Sequence, residues 1–383
     1  MASSIFTRRN FIGALGGFAS ATLLPSFAMS QQPSAEPNSV EKFLGGIYSE
    51  SQQKFSFRDD YPGGFSKWQA DARPILRNLL GLDAIAKHAA EHTPKIVTGP
   101  TKQRPGHSIT KFTLETEPNV VIPFWALKPA GNGPFPLAIL PHGHDRIGHD
   151  SYAGVYQNDS HREKTLAQDR DVAVQAVERG FFAIAPATRG LATEASGVPD
   201  IYKRHDNRDC RSQFMHAILA GRTAVGERVW DLSRVIDWAV KQDAVDAKQI
   251  LMMGNSGGGV ATMYAAACDE RITIAVPSCS FSVIASQQGR IYHCDCCAIP
   301  GILKWGELYD VCGLAAPRHM LAVSGVKDGL HTAKDVNRSA KRVAAIFNAA
   351  GVGKNFEHKW GPEGHRFYKS LMWPFVERAM KVG

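Results

Sequence analysis

The sequence predicts an α/β protein with a mainly parallel central sheet, helices on both faces and inserted lid segments. Three observations carry this. Apolar runs such as FFAIAP (181–186), QILMMG (249–254) and HMLAVSG (319–325) lack the polar alternation of a half-exposed strand, as expected for strands buried on both faces. Between them lie stretches with apolar residues at helical spacing, such as Val229, Trp230, Val235, Ile236, Ala239 and Val240. Finally, LMMGNSGGGV (251–260) sets one serine among four glycines where a strand gives way to a helix.

In chain order, the first thirty residues carry a basic pair, a moderately apolar glycine-containing run and a small-residue region suited to cleavage after Ala28 or Ser30. The pattern Thr7-Arg8-Arg9-Asn10-Phe11-Ile12 resembles a bacterial twin-arginine export signal. It implies a periplasmic or secreted product that meets the export machinery through Arg8 and Arg9 and keeps no stable membrane insertion after cleavage. Residues 31–63 begin polar and proline-containing, and read as a linker and N-terminal extension.

A single catalytic domain is expected over 64–383. Trp68, Ala72, Ile75, Leu76 and Leu79 mark a helix over 66–82, and Pro74 near its middle suggests two short helices. From 107 to 128, β-branched and aromatic residues on either side of Glu117-Pro118-Asn119 predict a hairpin. Then strands at 135–143, 181–186, 249–254, 272–277, 319–325 and 356–360 alternate with helices at 163–179, 227–242, 258–268 and 332–350. Residues 189–226 and 280–318 are too long for simple connections and predict lid or pocket insertions.

Composition narrows the function. The 383-residue chain is 44% hydrophobic, enough for a sizeable core. Its net charge of +8 comes without a block of basic residues, which argues against nucleic acid as a partner. Three of the seven cysteines crowd into HCDCC as Cys294, Cys296 and Cys297. Neither a second C-x-x-C nor an H-x-x-x-H accompanies them at zinc spacing, so no metal is expected. Bracing the insertion, lining the pocket and forming a bridge stay open as roles for these cysteines.

The glycine-rich stretch lacks the lysine of a phosphate loop and the G-x-G-x-x-G of a dinucleotide turn. It does match G-x-S-x-G. In that motif the serine sits on a tight strand-to-helix turn with its hydroxyl projecting above the sheet, and the small residues Gly254 and Gly258 avoid clashes there. Ser256 is the candidate nucleophile. A serine needs a base and an orienting acid, which follow in chain order as acid and then histidine. Asp328, just beyond the 319–325 strand, is preferred to Asp310 and Asp335. His365, in the loop after the last strand, is preferred to His358, which falls inside it. The oxyanion donors are expected to be the N–H groups of Gly257 and His144. His142, His144 and His149 are read as turn and packing residues, and the mechanism calls for no cofactor.

The segment VWDLSRVIDWAVKQDAVDAKQILMMGNSGGGVATMYAAACDERI, with CDCCAIPGIL, LAAPRHMLAVSGVKDGLH and GPEGH after it, resembles bacterial α/β-hydrolases of the dienelactone hydrolase and acetyl xylan esterase-related group over roughly residues 64–380. The resemblance implies the α/β-hydrolase fold, with Ser256 as nucleophile, Asp328 as acid and His365 as base. The expected function is an exported serine hydrolase that cleaves carboxylic esters, such as acetylated or otherwise esterified carbohydrate. A serine peptidase or amidase is the alternative within enzymes, and a non-catalytic binding protein on a hydrolase scaffold the alternative outside them.

Overall fold

The computed structural model describes residues 39–48, 52–286 and 293–381. Arg8, Arg9, Ala28 and Ser30, where the sequence suggests an export signal, lie outside them. The chain divides into two compact units, 1–43 and 44–383. Of the first, only the start of a helix, Ser39–Ile47, is described. The second unit carries the sheet and both cores.

Nine strands form one sheet: β1 (Ile96–Arg104), β2 (His107–Glu117), β3 (Val120–Pro129), β4 (Phe135–Ile139), β5 (Phe182–Pro186), β6 (Val245–Asn255), β7 (Ile274–Ser278), β8 (His319–Gly325) and β9 (Phe356–Gly361). Their order is β1-β2-β3-β5-β4-β6-β7-β8-β9. The first three and the β3–β5 pair are antiparallel, and every later pairing is parallel. The expected hairpin is present, with Asn119 at its tip in the left-handed region (φ 65°). The order reverses around β4, which places a crevice at the carboxyl ends of β4 and β6.

The unalternating apolar runs serve two cores at once. Ile250 and Met252 of β6 face one core, Leu251 and Met253 the other. The first core is filled by the helices Gly64–Leu79, Ala224–Ala239, Gly257–Cys268 and Ala333–Ala349. The second is filled by Val172–Val177 and Lys369–Met380. Among the described residues, no helix is long and apolar enough to cross a membrane.

The structure departs from the sequence reading in several places. Phe55 and Phe57 pack in the first core, and the Phe55 carbonyl accepts from Trp68 Nε1 at 2.7 Å, so this unit begins before residue 64. Gly64–Leu79 is a single helix despite Pro74, and the break comes at Gly81 (φ 78°). The helix expected over 163–179 is instead two, Asp159–Ala167 and Val172–Val177, separated at Asp169 (φ 53°). β1, the helix Asp209–Leu219 and the last helix were not anticipated.

A buried ionic network joins the hairpin to the first insertion. Arg189 binds both carboxylate oxygens of Asp231, through Nε at 2.8 Å and through Nη2. Its Nη1 lies 2.9 Å from Glu117, which also meets Arg222 at 2.7 Å. Despite its burial, the surrounding carboxylates hold the Arg189 guanidinium in its charged form. Removing one member of such a network strands the others' charge in low dielectric. Arg189→Met is therefore expected to lower stability by about 3–5 kcal/mol in urea unfolding. A loss under about 1 kcal/mol would contradict this account of the network.

Candidate active site

Ser256 follows β6 and precedes the helix Gly257–Cys268, with φ 57° and ψ −126°. This is a strained conformation for a residue with a side chain, and it lifts the hydroxyl out of the sheet. The turn is possible because its neighbours lack side chains. A Cβ on Gly258 would lie 2.0 Å from the Pro141 carbonyl oxygen, and one on Gly254 would lie 2.4 Å from the Gly258 carbonyl. Gly259 makes room in the same way for Ser280 Oγ.

The loop after β4 approaches just as closely. A Cβ on Gly143 would be 2.8 Å from Ser256 Cβ and 3.0 Å from Gly257 N. His142 locks this loop. Its Nε2 accepts from the Thr188 N–H at 2.9 Å, which leaves the proton on Nδ1 to go to the Gly143 carbonyl at 2.8 Å. Burial pulls His142 down to about 3, so the ring stays neutral. Among the described residues, the N–H groups of Gly257 and His144 have no protein acceptor. Gly257 opens a helix N-terminus, where the peptide dipoles favour negative charge.

Asp328 and His365 come together from the loops after β8 and β9. His365 Nδ1 donates to Asp328 Oδ2 at 2.7 Å. The two loops are clamped by backbone: Val326 N–H to Gly361 O at 2.9 Å and Lys327 N–H to Glu363 O at 3.0 Å. Gly325 lets them close, since a Cβ there would sit 2.3 Å from the Gly364 carbonyl oxygen. The Arg366 carbonyl, one residue past the histidine, accepts from Ser278 Oγ at 3.0 Å and Asn255 Nδ2 at 3.3 Å. The Arg366 guanidinium meets Asp169 at 2.8 Å. Asp169 thus interrupts its helix while anchoring the histidine loop. Burial raises the Asp328 carboxyl, but the hydrogen bond and positive charge of His365 outweigh this and bring it below the usual carboxylate range.

The serine is not hydrogen-bonded to this pair. Ser256 Oγ is hydrogen-bonded to His293 Nε2 at 3.3 Å, and among the described residues it has no bond to His365. The expected three-residue chain of hydrogen bonds is therefore present only in its acid–base half. His293 lies in the second insertion, in the left-handed region (φ 55°). Burial, together with the nearby imidazoles of His144, His331 and His365, pulls it down to about 3. It was not anticipated. Its residue type is suited to the role, but no motif marks a histidine that reaches a serine from an insertion.

Ser256 opens into a cleft of about 540 Å³, lined by His144, Asp145, Arg146, Arg208, Asp209 and Asp295 among others. The three histidines of the β4 loop have separate surroundings. His142 is used internally, His149 lies by Asp150 and Glu194, and His144 faces cysteines. His358 sits within β9 and meets Ser324 Oγ at 3.2 Å.

No family model matches the chain. A stretch of 155 residues is 26% identical to YtaP of Bacillus subtilis (strain 168), whose own assignment as a hydrolase is provisional. The match covers 40% of this chain and spans only 52% of that relative's length. Among solved structures, a Bacteroides fragilis NCTC 9343 protein provisionally assigned as an acetyl xylan esterase superposes with a TM-score of 0.68 at 19% identity, over 90% of this chain and 95% of its own. A glucuronoyl esterase from Solibacter usitatus superposes with a TM-score of 0.61 at 14% identity, over 86% and 96%. The fold is that of the α/β-hydrolases.

Two outcomes are expected from this geometry. Gly258→Ala should cost more than about 4 kcal/mol or prevent folding, because the clash is with backbone. Soluble expression and urea unfolding test it, and near-native stability would contradict the packing described. Asp328 has a depressed folded pKa, so its contribution to stability is present above the unfolded carboxylate value of about 3.9 and is lost as pH falls through the folded value. The melting-temperature gap between the wild type and Asp328→Asn should therefore be widest above about pH 4 and close as the solution is acidified below it. A gap independent of pH would refute the ion-pair origin.

Proposed function

We propose that this protein is an exported serine esterase that hydrolyses carboxylic esters of carbohydrates through a Ser256–His365–Asp328 acyl-enzyme mechanism. The observation that carries the reading is Ser256 on a strained strand-to-helix turn, at a cleft and beside two open N–H groups. The hydroxyl attacks the ester carbonyl. His365 takes the proton and returns it to the leaving alcohol, while Asp328 holds the ring in the right tautomer and stabilises its cation. Gly257 and His144 N–H groups receive the oxyanion, and water then releases the acid. A base is effective when its other nitrogen is held by an acid, which supports His365. The separation of His365 from Ser256 is compatible with this role, because catalytic hydrogen bonds often tighten only with substrate bound.

The cleft supports a carbohydrate ester. Its wall mixes Asp145, Arg146, Asn207, Arg208, Asp209 and Asp295 with few large apolar groups, which suits a hydroxyl-rich ligand. The carbohydrate esterases among the similar folds favour the same class. Arg8 and Arg9 support twin-arginine export, and with it a periplasmic or secreted enzyme acting on environmental material.

The Ser256–His293 contact favours a second reading, in which His293 is the base. Ser256→Ala should lower hydrolysis of acetylated xylan, glucuronoyl or short p-nitrophenyl esters by roughly 10⁴–10⁶, and abolish labelling by a fluorophosphonate. Near-full activity in that variant would exclude the serine mechanism. His365→Ala should cost at least about 10³-fold in kcat, and His293→Ala no more than about tenfold. The reverse order would transfer the base to His293.

A further inference from the structure

The cleft wall carries a cluster of side chains that the proposed ester hydrolysis does not use. His144, Cys210, Cys294 and Cys296 each offer a ligand atom, and these atoms all lie within 4.8 Å of one another. His144 Nε2 is 3.4 Å from Cys296 Sγ. The four come from three separate parts of the chain. His144 is in the loop after β4. Cys210 is in the first turn of the helix Asp209–Leu219, within the first insertion. Cys294 and Cys296 are in the second insertion, at a short helical turn over Asp295–Cys297. No cysteine among them forms a disulfide.

We propose that these four residues form a tetrahedral site for a soft divalent cation, zinc, which braces both insertions against the oxyanion loop. Three thiolates and one imidazole are a common zinc donor set. With Zn–S near 2.3 Å and Zn–N near 2.0–2.1 Å, such an ion sets its ligand atoms roughly 3.5–3.8 Å apart. The cluster needs only small adjustments to reach that spacing. Four protein ligands leave no open position, which is the pattern of a structural ion rather than a catalytic one.

Arg228 borders the cluster through Cys296 and adds a second observation. Its side chain is buried (2% exposed), and among the described residues no carboxylate pairs with it. Its hydrogen bonds go to the Arg189 carbonyl at 2.9 Å and the Cys296 carbonyl at 3.3 Å, and Nη2 has no partner. With no carboxylate beside it, this buried guanidinium has the sulfur cluster as its counter-charge, Cys296 foremost. Zinc with three thiolates and a neutral histidine carries one net negative charge, and it would lie beside Arg228 through Cys296. The His144 ring also packs on Gly257, where a Cβ would be 3.2 Å from His144 Nδ1. Fixing that ring therefore fixes the oxyanion loop against the helix N-terminus.

The test uses the full chain, purified without chelator, with metal content measured by elemental mass spectrometry. About one zinc per chain is expected, and it should be lost in Cys210→Ser and Cys296→Ser but kept in Cys268→Ser, whose buried cysteine lies outside the cluster. The wild type loaded with cobalt(II) should show the intense visible bands and thiolate charge-transfer absorption of a tetrahedral sulfur site. This readout does not depend on whether the variants fold. Three results would overturn the proposal: no uptake of added zinc by the reduced chain, zinc retained by both cluster variants, or a disulfide between two of the three cysteines in the protein as isolated.

Discussion

Everything at the site depends on a backbone crossing with no room to spare. Ser256 can hold its left-handed turn only if the chain before it, the helix after it and the loop from β4 all come within contact distance, and the bare Cα positions of Gly143, Gly254 and Gly258 allow this. The strain at one residue is compensated by the packing around it. Ser256 N–H bonds to Ser278 O at 2.9 Å, and the following helix is buried along its whole length. The result is a serine held at the start of a buried helix by backbone contacts alone.

Around this rigid centre, polar groups anchor the loops. The Arg366 carbonyl, the Asp169 carboxylate and the Gly325 contact hold the histidine loop against the ends of β6, β7 and β8. His142 does the same for the loop after β4, and Arg189 ties the hairpin to the first insertion. Loops carry the chemistry because they sit at the strand ends. Each is made precise by a buried polar contact whose partners would be left unsatisfied if the loop shifted.

How legible this was in the sequence varies by element. The parallel strands could be read from QILMMG and HMLAVSG because burial on both faces removes alternation. β1 (IVTGPTKQR) could not, since it is an edge strand with a mostly exposed, polar sequence. Pro74 was overrated as a helix breaker, because tertiary packing of Trp68, Ala72 and Leu76 holds the helix around it. In the same way, the 163–179 pattern hid the break at Asp169, which an ion pair with a distant arginine stabilises. At the site, Ser256 stood out through local turn chemistry. Asp328 and His365 followed from chain order, and they do meet at 2.7 Å. His293 gave no signal, because its approach to Ser256 depends on how an insertion folds back.

By itself, the sequence determined what is local: strand runs, the glycine-spaced turn at Ser256, and the order in which an acid and a histidine can follow it. These are set by periodicity and steric volume over a few residues. Tertiary structure alone decided which histidine touches the serine, and that His144, Cys210, Cys294 and Cys296 share one small volume. Those residues are far apart in the chain, and no spacing rule joins them. They meet because two insertions and a strand-end loop converge over one end of the same sheet.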